Sequence, residues 1–63
     1  MTRQEILNEL KARNKRKAVL HEELLRSELY GEDADPVRTA IANNYARMNE
    51  LFAMLQRIDK RAA

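Results

Sequence analysis

Along the second half of the chain, Val37, Ile41, Met48, Leu51, Leu55 and Ile58 recur with Asn44 in step among them, at alternating spacings of four and three. That is a heptad repeat, and it predicts a long helix with one apolar seam. Asp35 and Pro36 stand just ahead of it. Asp35 suits the N-cap, and Pro36 suits the first helical position, where its missing N–H costs nothing. The helix is expected from residue 36 to about residue 60. In the first half, Leu7, Leu10, Ala18, Leu25 and Leu29 recur with Asn14 and His21, at spacings 3-4-4-3-4-4. This is closer to an eleven-residue repeat and implies a straighter helix.

Thr2-Arg3-Gln4-Glu5 reads as a capping box, with Met1 and Ile6 at the positions of a hydrophobic staple. Nothing after Arg3 breaks a helix until Gly31, which suits a left-handed terminating position. The expected organisation is one all-α domain over residues 1–63: helix about 3–30, turn 31–35, helix about 36–60. So short a turn forces an antiparallel two-helix hairpin. Folded about Asp33, the hairpin pairs Leu25 with Ile41, His21 with Asn44 or Tyr45, Ala18 with Met48, and Leu10 with Leu55.

A second apolar stripe remains on each helix. The first helix adds Ile6, Leu20 and Leu24, and the second adds Ala40, Tyr45, Phe52 and Met54. One hairpin cannot bury both stripes, and a free stripe of this size marks an interaction surface. Two hairpins packed as a four-helix bundle would cover it. A homodimer is therefore expected, with Ile6, Leu20, Leu24, Tyr45, Phe52 and Met54 at its interface. The alternative is a hairpin that docks its free stripe onto another protein.

Composition sharpens this expectation. A chain of 63 residues without cysteine has no disulfide staple and no thiolate zinc site, so oligomerisation is the remaining way to gain core. The net charge of +2 is solubilising, but it is unevenly placed. Residues 1–20 carry a net +4, residues 21–36 a net −5 and residues 37–63 a net +3. The open end of the hairpin is expected to be basic and the turn end acidic. No apolar run approaches the roughly 20 residues of a membrane span, and no apolar leader opens the chain. A soluble cytoplasmic protein with no membrane contact is expected.

Lys11-Ala12-Arg13-Asn14-Lys15-Arg16-Lys17 is the most basic stretch. At about 100° per residue from Ile6, its five cations fall near 140°, 340°, 180°, 280° and 20°. They surround the helix instead of gathering on one face, as the solvated side of a helix does. If the stretch met a nucleic-acid backbone, Arg13, Arg16 and Lys17 would form the contact, on the side that also carries Leu20. His21, Asn14 and Asn44 read as polar seam residues of the kind that set register. No nucleophile–base set, phosphate-cradling glycine loop or metal-ligand cluster is evident. No enzyme activity, cofactor or metal is expected.

Met1-Thr2-Arg3-Gln4-Glu5, the turn Asp33-Ala34-Asp35 and Glu50-Leu51-Phe52 resemble the Rop family of dimeric helical hairpins, which bind paired RNA loops. Arg13 and His21 fall where such a protein carries polar contacts. Lys17, however, takes the place of an aromatic and Glu28 that of a basic residue, so the RNA-binding face does not carry over. MTRQEILNELKARNKRK and AIANNYARMNELFAMLQR look like the short helical products of the exo–xis early region of lambdoid phages. That resemblance implies a phage protein that influences host physiology and the lysis–lysogeny choice. The expected function is a non-enzymatic, homodimeric regulator or adaptor that binds an unidentified protein. The alternative is a Rop-like or basic-patch RNA- or DNA-binding regulator.

Overall fold

The computed structural model describes residues 1–62, the last of them by its backbone alone. Two helices, α1 (Arg3–Leu29) and α2 (Asp35–Ala62), pack side by side as an antiparallel hairpin. The result is a rod of about 50 × 15 × 15 Å.

The capping box at the start of α1 is complete. Glu5 N–H donates to Thr2 Oγ1 at 3.1 Å, and Thr2 N–H donates to Glu5 Oε1 at 3.2 Å. The backbone N–H of Thr2, with the Thr2 hydroxyl adding to it, holds the Glu5 carboxyl below its ordinary pKa. At the far end Tyr30 caps the helix, and Gly31 takes the left-handed conformation at φ 67°. Glu32 N–H then donates to Ser27 C=O at 2.9 Å, the long bond of a Schellman ending.

The start of α2 differs from expectation. Asp35 is its first helical residue, and Arg38 N–H donates to Ala34 C=O. The capping oxygen comes from Asp33, whose Oδ1 accepts Asp35 N–H at 3.0 Å. Asp35 turns outward to Arg38. Pro36 remains in the first turn, where no intrahelical donor is needed. At its other end α2 continues to Ala62, past the expected residue 60.

The seam of α2 is the expected one: Val37, Ile41, Asn44, Met48, Leu51, Leu55 and Ile58 are all buried or half-buried. The seam of α1 is not. Its non-exposed heptad row is Ile6, Leu10, Arg13, Lys17, Leu20, Leu24 and Ser27, again at alternating spacings of four and three. Ile6 is 0% exposed and Leu20 2%. Of the row expected to face α2, only Leu10 is buried and Leu7 half-buried; Asn14, Ala18, His21, Leu25 and Leu29 are all exposed. The two stripes of α1 have exchanged places. Ile6, Leu20 and Leu24 face α2 within the same chain and are not available to a second one. Met54, also expected outside, packs against the core cluster of Ile6, Leu10, Met48 and Leu51.

This assignment has a direct test. Leu20→Ala should lower stability by about 2–5 kcal/mol, as other large-to-small changes in a core do. Leu29→Ala, at a position 71% exposed, should change it by less than about 0.5 kcal/mol. Urea unfolding followed by circular dichroism separates the two, and equal losses would contradict the seam. Gly31→Ala meets no steric obstacle but should cost about 1 kcal/mol for the left-handed backbone.

Candidate functional site

The hairpin has two long flanks where the helices meet, and they differ in chemistry. One is built on ions. Glu9 of α1 receives a fork from Arg47 of α2, Nε to Oε2 at 2.8 Å and Nη2 to Oε1 at 3.2 Å. Arg13 Nε reaches the same Oε2 at 2.9 Å, and Arg47 Nη1 reaches Glu50 at 3.1 Å. Hydrogen bonds from Arg47 and then Arg13 hold the Glu9 carboxyl at a pKa of about 2, against an ordinary 4.5. The same pairing raises the Arg47 pKa.

The network continues into the seam. Arg13 Nη1 donates to Asn44 Oδ1 at 3.1 Å, and Asn44 Nδ2 returns a bond to the Arg13 carbonyl at 3.1 Å. Asn44 is buried, and its amide is satisfied on both ends. The buried polar layer is therefore Arg13 with Asn44, where sequence reasoning placed His21. A polar pair of this kind penalises any slip of one helix on the other, because a slip leaves a buried amide without partners.

The other flank is aromatic. At heptad spacing α2 presents Arg38, Tyr45, Phe52 and Asp59, and α1 presents Leu7, Asn14, His21 and Glu28. Cross-helix contacts set the two rows side by side. Glu28 pairs with Arg38 at 3.6 Å, and His21 Nε2 lies 3.4 Å from the Tyr45 hydroxyl, ring edge to ring face. Lys17 Nζ sits 5.6 Å over the Tyr45 ring. Tyr45 and Phe52 stay 38% and 49% exposed.

Arg13, Arg16 and Lys17 are not gathered for a common ligand. Arg13 is held by Glu9 and Asn44, Lys17 lies over Tyr45, and Arg16 is exposed. A third surface lies on the outer side of α1 near the turn. There Glu22, Leu25, Arg26, Leu29 and Tyr30 line a shallow cavity of about 220 Å³. Sequence reasoning missed it by assigning Leu25 and Leu29 to the seam. The heptad match of Leu20 and Leu24 to Ile6 was the signal that would have found it. Among the described residues no group of three or more His, Cys, Asp or Glu is placed to hold a metal ion. Among the described residues no helix is long and apolar enough to cross a membrane. No protein-family model matches the chain, and no curated protein or solved structure is significantly similar to it.

The depressed Glu9 pKa has a sign that can be checked. A carboxyl held below its unfolded value stabilises the fold above about pH 4.5, and that contribution disappears as pH falls through about 2. Glu9→Gln should lower the urea midpoint at neutral pH. The gap to the wild type should close between pH 5 and pH 2, and a gap independent of pH would count against the ion network.

Proposed function

We propose that this chain is a non-enzymatic homodimeric helical protein, a four-helix bundle of two hairpins, that acts as a regulator or adaptor by binding another protein. The observation that carries this reading is the apolar surface the hairpin leaves uncovered. Val19, Leu25, Leu29, Tyr30, Tyr45 and Phe52 are each more than a third exposed. The accessible surface is 4881 Å², whereas a compact monomer of this mass has about 4,200 Å². The excess approaches the roughly 800 Å² that each partner buries in an interface of standard size. A dimer would cover the aromatic flank and leave the Leu25–Leu29–Tyr30 surface on the outer side of α1 for a partner protein. The resemblance to lambdoid early-region products supports a cytoplasmic phage setting, in which the target would bear on host physiology or the lysis–lysogeny choice.

Sedimentation equilibrium at micromolar concentration should give twice the 7.4 kDa chain mass, and Phe52→Asp should yield monomer or unfolded chain. A folded wild-type monomer would refute the dimer. For partner binding, capture from nuclease-treated host lysate should survive Lys15→Gln with Arg16→Gln and be lost in Leu29→Asp. Tight nucleic-acid retention that those two glutamines abolish, and that weakens steeply with salt, would replace this reading with the nucleic-acid one.

A further inference from the structure

We infer that the second copy covers the Tyr45–Phe52 flank and that the two hairpins lie with their turns at opposite ends; this rests on the dimer reading above. Three observations lead there.

The first is the chemistry of the two flanks. The flank of Glu9, Arg47 and Glu50 carries a network of ions that water still reaches. Covering it would strip solvent from every one of those charges, a penalty that pairing often fails to recover. The opposite flank carries two half-exposed aromatic rings, and aromatic side chains are the anchors that interfaces use.

The second is charge. Residues 21–36, around the turn, hold a net −5, while the two segments at the open end hold +4 and +3. Packed helices lie about 8–10 Å apart, close to one Debye length at physiological salt. With both turns at the same end, two acidic segments would face each other at that distance, and so would two basic ends. Reversing one hairpin sets acidic against basic at both ends, the complementary arrangement.

The third is placement along the rod. The midpoint of α2 (Asp35–Ala62) falls between Met48 and Asn49, and Tyr45 and Phe52 lie equally far on either side of it. His21 lies against Tyr45 and Glu28 against Arg38, so the same level on α1 falls between Lys17 and Ala18, with Asn14 and His21 equally far on either side of it. A two-fold axis across the middle of the rod packs each helix against its own antiparallel copy. It therefore brings Tyr45 against Phe52 of the partner subunit, twice, and sets His21 level with Asn14 of the partner subunit. Such an isologous contact is self-complementary. In the same-end arrangement α1 would face α2 of the second copy, Phe52 would meet Asn14, and the aromatic rings would not meet.

The chain has no cysteine, so Glu32→Cys, at an exposed turn position, takes one spin label per subunit. Double electron–electron resonance on the full-length protein should give a turn-to-turn distance of about 40 Å, the length of a 27-residue helix. A distance within about 20 Å, two helix spacings, would overturn the arrangement while leaving the dimer intact. No dipolar coupling together with a monomer mass in sedimentation would sink the dimer reading and this inference with it. The flank has its own test. Phe52→Glu should dissociate the dimer, and adding Tyr45→Lys should restore it, because the introduced charges face each other only across the two-fold. A dimer unaffected by Phe52→Glu would place the interface elsewhere.

Discussion

Two helices share a single seam, and both sides of it must keep the same period along its whole length. That constraint organises this protein. The apolar row of α2 is a strict heptad, so α1 must meet it with a heptad of its own. Its only such row runs from Ile6 through Leu10, Arg13, Lys17, Leu20 and Leu24 to Ser27. The rival row through Leu7, Ala18, His21, Leu25 and Leu29 is richer in apolar side chains but follows an eleven-residue period. A heptad row drifts one way around a helix by about 20° per repeat, and an eleven-residue row drifts the other way. Over six turns the two diverge by about 100°, so the second row cannot stay against α2.

Matching the period brings two cations into the middle of the seam, and the surrounding residues answer them. Arg13 has its guanidinium held by Glu9 and Asn44. Lys17 extends outward over the Tyr45 ring. The dry core is consequently divided. One part is the cluster of Ile6, Leu10, Met48 and Leu51, and the other lies toward the turn around Leu20. The same choice turns Leu25 and Leu29 outward and leaves Tyr45 and Phe52 at the edge. The surfaces open to binding are thus a product of how the hairpin solves its own packing.

The sequence by itself determined both helices, their order and the two ends of α1, at Thr2 and Gly31. These rest on local forces: a capping box closes within four residues, and only glycine takes the left-handed turn without strain. It also determined the seam of α2, where period and apolarity coincide in the same residues. Which of α1's two stripes faces inward was decided only by the tertiary structure, because that choice depends on the period of a different helix. Arg13 and Lys17 fall within about 20° of Ile6 on a helical wheel, yet their charge marks them as solvent-facing until Glu9, Asn44 and Tyr45 are seen beside them. The capping oxygen of α2 moved to Asp33 for the same reason: the path of the turn, and not the identity of Asp35, decides which carboxylate reaches the first free N–H.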